Sequence, residues 1–208
     1  DMANLCREPE VIKNPGALLG ALVGGLALKG RDKLTLIMPK KLEAFGLWVE
    51  QLVAESTGKE GKGVVPVCAE ELSAPETYRE DRFFVTTQLG VFLDPGAADK
   101  LGKLKMAGAP VYTMFLDDIY DLGGEFFRWE VAAAAACALL GINPFDQPDV
   151  KEAKELTLKA LETLASKEPR PAPKPQFSAE RLTIFASKAL HQAVSATSHG
   201  DVFRGLFK

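Results

Sequence analysis

Apolar residues in this chain fall into two kinds of run, and the alternation between them predicts the architecture. Asn14-Pro15 has the form of an N-cap followed by proline at the first helical position, and residues 17–23 after it are apolar almost all round, as in a buried helix. Residues 33–38, closed by Pro39, have the length and apolar content of a strand, and a helix with Leu42, Phe45, Val49 and Leu52 on one face comes next. Gly58 is expected to end that helix as a left-handed cap. Residues 63–68 then read as a second buried strand and residues 82–87 as a third. A helix rich in Lys and Ala over 97–107, stopped by Gly108, leads into a fourth strand over 110–115. Helices over 125–140 and 148–165 follow, the first apolar on nearly every face and so placed at the centre. Continuous apolar strands separated by helices indicate a mainly parallel sheet covered on both faces, which is a doubly wound, three-layer αβα sandwich of the α/β class.

The pattern changes after residue 166. Between Lys167 and Pro175, proline alternates with other residues, so this stretch is expected to run extended as polyproline II. The predicted organisation is one domain over 1–166, a proline-rich linker over 167–177, and the start of a C-terminal extension over 178–208 in which residues 182–186 could form a short strand. Asp1 is not an initiator methionine and the last residues carry no cap or tail signal, which sets the expectation that the chain is a fragment.

Composition narrows the function classes. With 47% hydrophobic residues the chain can bury a real core, while a net charge of -3, a pI near 5.6 and interleaved acidic and basic residues provide no basic face for a nucleic acid. The longest apolar run, residues 131–140, is too short to cross a bilayer, and no basic-then-apolar leader opens the sequence, so no membrane partner and a cytoplasmic location are expected. Cys6, Cys68 and Cys137 are odd in number and lack metal-ligand spacing; they are expected to be small core residues, with no metal.

An open parallel sheet is expected to take a ligand at the carboxyl ends of its strands, near helix N-termini that attract anions. The familiar phosphate loop is absent, and Gly20, Gly24 and Gly25 lie inside a helix, where glycine permits close helix packing. Two clusters could carry chemistry. Glu55-Ser56-Thr57-Gly58-Lys59 ends an amphipathic helix, where a carboxylate faces the negative end of the dipole; a general base can exploit that setting, although a solvated last-turn glutamate would look the same. In the second cluster, Pro144 and Pro148 punctuate a turn into a helix on which Gln147 and Lys154, seven residues apart, share a face. The aromatic stretch around Trp129 is expected to anchor the central helix with Arg128 paired to a carboxylate, and His191 and His199 have no partner at a telling spacing. No Ser/His/Asp or Cys/His arrangement can be assembled.

At these two clusters the sequence resembles the phosphoglucose isomerase family, whose halves are sugar-isomerase (SIS) type domains. The carriers are residues 48–59, the Gly61-Lys62-Gly63-Val64-Val65-Pro66 that follows, and Leu140-Gly141-Ile142-Asn143-Pro144-Phe145-Asp146-Gln147-Pro148 with Val150 and Lys154. The match covers roughly residues 14–164, and the wording of both motifs, with Gly124 to Glu130, looks closest to the branch in which the isomerase is fused behind a transaldolase. The resemblance implies the C-terminal half of an enzyme that interconverts glucose 6-phosphate and fructose 6-phosphate without a cofactor. It implies that Glu55 moves a proton between C1 and C2 through a cis-enediol, that Lys154 assists ring opening or steadies oxygen charge, and that Gln147, Ser56, Gly58 and Lys59 contact the sugar phosphate. Implied partners are the upstream isomerase half, a transaldolase domain in the parent chain, and a second copy in a homo-oligomer.

Three departures stand out. The family places a histidine after the strand that follows the base, and residues 69–78 contain none. Its phosphate-binding Ser/Thr loop and an arginine belong to an upstream half not present here, so this polypeptide alone is expected to be inactive or nearly so. Residues past the linker match the isomerase core poorly. A non-catalytic SIS-type module that binds a sugar phosphate is the rival reading; transaldolase chemistry would need a (β/α)8 barrel of about 250 residues, longer than this chain.

Overall fold

In the computed structural model the described residues are 1–90, 95–165, 174–175, 177–179 and 182–185. They fall into two compact units, residues 1–153 and 154–208.

The first unit opens with a single capped turn, α1 (Met2–Leu5), and the predicted first long helix, α2 (Pro15–Leu28), capped by the Asn14 side chain accepting from Ala17 N. β1 (Lys33–Ile37), α3 (Glu43–Thr57), β2 (Val65–Cys68), β3 (Arg82–Leu89), α4 (Pro95–Met106), β4 (Val111–Leu116) and α5 (Leu122–Leu140) follow, and α6 (Pro148–Ala165) runs across the boundary between the units. The four strands form one all-parallel sheet in the order β2-β1-β3-β4. α/β alternation with a parallel sheet was the pattern expected from the sequence, and the fold class holds.

One face of the sheet carries most of the core. Leu34, Leu36, Phe83, Val85 and Met114 point into a buried cluster with Leu19 and Val23 of α2, Phe45, Val49 and Val53 of α3, and Trp129, Ala132 and Ala136 of α5. The opposite face is thinner: Phe84 packs with Leu101 and Leu104 of α4 and with Leu72 and Tyr78 of the loop after β2. Glycine makes the α2–α5 contact close, because a Cβ on Gly20 would lie 2.4 Å from the Ala132 carbonyl oxygen and one on Gly24 would lie 3.0 Å from that of Ala136. Gly25, expected to do the same, faces open space. At its N-terminal part α5 is anchored by aromatic packing, with the Phe126 ring 4.9 Å from Phe45 and 4.5 Å from Trp48. Removing the buried Trp129 side chain would cost about 3–5 kcal/mol. Cys137 is buried, Cys6 and Cys68 are half-buried, and all three are free thiols.

Two local expectations need correction. β2 is an edge strand with Val65 exposed, rather than a buried one, and Pro66 fits because an edge tolerates a residue without an N–H. Gly58 is not a left-handed cap: its φ is -76°, and glycine is required there because a Cβ would sit 2.7 Å from the Ala54 carbonyl oxygen. Gly108 does end α4 with a positive φ of 83°.

In the second unit the described elements beyond α6 are β5 (Phe177–Ala179) and β6 (Leu182–Ile184), an antiparallel pair in which Phe177 faces Ile184. Most of the predicted linker, and both histidines, lie outside the described residues.

Candidate active site

The end of α3 is shaped by its own last side chains. Thr57, fully buried, donates from Oγ1 to the Val53 carbonyl at 2.8 Å and accepts from Val64 N at 2.9 Å, so one hydroxyl ties the helix end to the start of β2. α5 ends nearby on the left-handed Gly141, where the Lys62 ammonium donates to the Leu140 carbonyl at 3.3 Å, a cation at the negative end of a helix dipole. Between α5 and α6 the chain turns through residues 143–146, with Asn143 Oδ1 accepting from Phe145 N at 3.0 Å.

Lys59 joins these pieces. Its side chain is 4% exposed, and its ammonium donates to the Asn143 carbonyl at 2.7 Å, to the Asp146 carbonyl, and to Asp146 Oδ1 at 3.0 Å. An ammonium has three donors, and here all three serve the turn. Lys59 therefore holds residues 143–146 against the end of α3.

The strapped pieces enclose a cleft of about 270 Å³, with Glu55, Gly58 and Lys59 on one side and Gln147, Pro148 and Asp149 on the other. Glu55 is exposed to it, and its Oε1 accepts a hydrogen bond from Gln51 Nε2, one helical turn earlier, at 2.9 Å. That bond orients the carboxylate and leaves its second oxygen available. The first turn of α6 brings the positive end of its dipole to the same place.

Of the candidate residues, the structure brings Glu55, Gly58, Lys59 and Gln147 to one cleft. Ser56 is half-buried and does not line it; its carbonyl accepts from the Cys137 thiol at 3.3 Å. Lys59, expected at the substrate, is spent on the turn. Lys154 is the first residue of the second unit. Two contributors were missed in the sequence: Gln51, which the i,i+4 spacing to Glu55 could have shown, and Asp146, whose pairing with Lys59 spans 87 residues and has no local signal.

The position of the cleft departs from expectation. α3 runs antiparallel to the sheet: Gly46 at its start lies against Cys68 and Met38 at the strand ends, whereas Thr57 meets Val64 at the beginning of β2. Glu55 and Gln147 thus lie at the amino ends of the strands, not at the carboxyl ends. The carboxyl ends hold a separate hollow of about 290 Å³ lined by Met38, Lys40, Glu43 and Cys68. There, Glu70 accepts from Arg82 Nη1 at 2.6 Å and from Thr35 Oγ1 at 3.3 Å. Burial pushes the Cys68 thiol up from its ordinary value.

Fold and cleft together define an α/β protein with a parallel sheet and a mainly apolar pocket, carrying Glu55 and Gln147, built where helices begin and end. Comparison with known proteins narrows this. No family model matches the chain. Its sequence is 29% identical over 202 residues to the glucose-6-phosphate isomerase of Rubrobacter xylanophilus, covering 75% of this chain and 46% of that protein. It is 28% identical over 191 residues to that of Pediococcus pentosaceus, covering 74% and 42% respectively. Among solved structures, a hypothetical protein from Thermus thermophilus matches with a TM-score of 0.64 at 19% identity over 77% of this chain and 48% of its own. A glucose-6-phosphate isomerase from Chlamydia trachomatis matches with a TM-score of 0.57 at 18% identity, over 81% and 42%. The chain is thus similar to glucose-6-phosphate isomerases at 25–29% identity, and it spans less than half the length of the relatives it matches.

Proposed function

We propose that this chain carries part of the active site of an aldose–ketose isomerase acting on glucose 6-phosphate and fructose 6-phosphate, with Glu55 as the proton-transferring base. The observation that supports the reading most is that Glu55 and Gln147, 92 positions apart in sequence, line one cleft, with the carboxylate steadied by Gln51. In this mechanism Glu55 takes the proton from C2 of the open-chain aldose and returns it to C1 of the enediol, and Gln147 contacts the substrate. Lys154 steadies the developing oxygen charge or assists ring opening. The reading covers only part of an active site, since the chain spans less than half the length of the glucose-6-phosphate isomerases it matches.

The absence of histidine from residues 69–78 favours a second reading, a non-catalytic module that binds a sugar phosphate. Expression within the complete reading frame, with fructose 6-phosphate supplied and glucose 6-phosphate followed, separates the two. Glu55→Gln should lower kcat by roughly 10²–10⁴ while leaving KM within a few-fold; unchanged turnover would remove Glu55 from the chemistry, and absent turnover with retained binding would favour the module.

A further inference from the structure

The sheet ends on β2 at one side and on β4 at the other. At β4 the ladder fixes which groups face outward. The Phe84 amide donates to the Pro110 carbonyl at 2.9 Å and the Gly90 amide to the Leu116 carbonyl at 2.7 Å. By alternation Tyr112, Met114 and Leu116 therefore turn their main chain toward β3, while Val111, Thr113 and Phe115 turn theirs away from it. No described residue bonds those three outward amides or carbonyls. Natural sheets blunt such an edge with proline, a bulge or a charge. β2 carries Pro66, whereas residues 111–116 contain no proline, glycine or charged residue. Val111 packs beside Leu101 and Leu104 of α4, but Phe115, on the same face of the strand, is 66% exposed.

We propose that this edge pairs with the β4 edge of a second copy of the chain, antiparallel about a two-fold axis through Thr113. In that register Val111 faces Phe115 of the second copy, Thr113 faces Thr113, and every outward amide finds a carbonyl. Pro110 falls opposite Leu116, a pair that makes no ladder bond across the axis, so the missing N–H costs nothing there. The side chains also match themselves. An aromatic ring meets a β-branched residue, threonine meets threonine, and on the other face Tyr112 meets Met114, all favourable cross-strand pairs. Asp117 and Asp118 fall opposite Ala109 and Gly108, so like charges do not meet. A two-residue slip would set Phe115 against Ala109 or Val111 against Asp117, which singles out the symmetric register. Because the strand is complementary to its own reverse, a second copy fits it better than an arbitrary peptide does.

β4 lies at the far edge of the sheet from β2 and the Glu55 cleft, so the pairing does not rest on the isomerase reading. Sedimentation equilibrium of this chain should show a reversible dimer with a Kd of about 10–100 µM, since one strand pair is a small interface. Hydrogen exchange at Val111, Thr113 and Phe115 should slow as concentration rises through that range, while Tyr112 and Met114 stay protected throughout. Thr113→Lys sets two ammonium groups face to face on the axis and should weaken the dimer about tenfold, as should Thr113→Asp. An equimolar mixture of the two variants should recover the parent Kd to within about threefold, which a merely destabilised fold would not do. Should either variant fail to fold, Phe115→Ser removes an exposed ring from the same edge and should weaken the dimer about fivefold. The proposal is overturned by a chain that stays monomeric to 1 mM, by a dimer indifferent to these substitutions or not restored in the mixture, or by slow exchange of the three outward amides in the dilute monomer, which would mean that another segment of the chain fills the edge.

Discussion

The two ends of α5 each hold a buried charge, and they treat it differently. Near the C-terminal end the Lys59 ammonium has every donor filled by the protein, two of its acceptors being main-chain carbonyls. At the N-terminal end the Glu125 carboxylate has one oxygen filled and one empty. Burial alone therefore does not mark a binding group. A buried ion whose partners are complete is part of the frame, and removing one side of it is strongly destabilising; a buried ion with an unpartnered oxygen sealed from solvent is a cost that the fold carries. The contrast separates Lys59, which reads in sequence as a ligand to substrate, from Glu125, which reads as a helix anchor.

The contrast can be broken by experiment, beginning with the largest effect. Lys59→Met should destabilise the fold by about 3 kcal/mol, since Asp146 and two carbonyls lose their donor. Urea denaturation measures this, and hydrogen exchange should speed up at residues 143–147; a variant within 0.5 kcal/mol of the parent would show the strap to be ornamental. Gly20→Ala, which forces a Cβ against the Ala132 carbonyl, should cost about 2 kcal/mol but leave the relative exchange of residues 143–147 unchanged, because it acts at the middle of α5.

Glu125 gives a smaller, pH-dependent effect. Burial raises its carboxyl above the ordinary value of 4.5, with Arg128 pulling it down and Asp121 adding to the rise. A group with a raised folded pKa contributes stability below its unfolded value and loses it as pH climbs through the folded one. The stability of the parent relative to Glu125→Gln should thus fall as pH rises from about 4.5 toward neutrality. A difference that stays flat, or grows, would mean that the carboxyl is charged throughout. Smallest of all, Gln51→Leu should alter stability by no more than about 0.5 kcal/mol while lowering isomerase turnover several-fold, by releasing the Glu55 carboxylate.

Much of the scaffold was legible in the chain. Period and length of the apolar runs located the four parallel strands and the helices between them, because each is a local property that tertiary packing here did not override. The close α2–α5 contact followed from Gly20 and Gly24, and the Arg128 ion pair from its neighbours. What could not be read was which groups meet across long separations. Spacing places Glu55 at a helix end, but only the antiparallel run of α3 against β2 shows that this end lies under the amino termini of the strands. Lys59 offered three donors to any partner; the turn that takes them is 84 to 87 residues away. Gly58 misled for a related reason, since the same residue serves a left-handed cap or a tight approach, and only the nearby Ala54 oxygen distinguishes them.

One consequence concerns how the sheet ends. Val65 turns its N–H inward to Asp32, so by alternation Pro66 and Cys68 turn theirs outward. Pro66 has no proton to offer, and that of Cys68 is taken by the Glu50 carboxylate. The outer lip of β2 thus offers an incoming strand carbonyls but no free N–H from these two residues, and only half of a strand-to-strand ladder can form on that side.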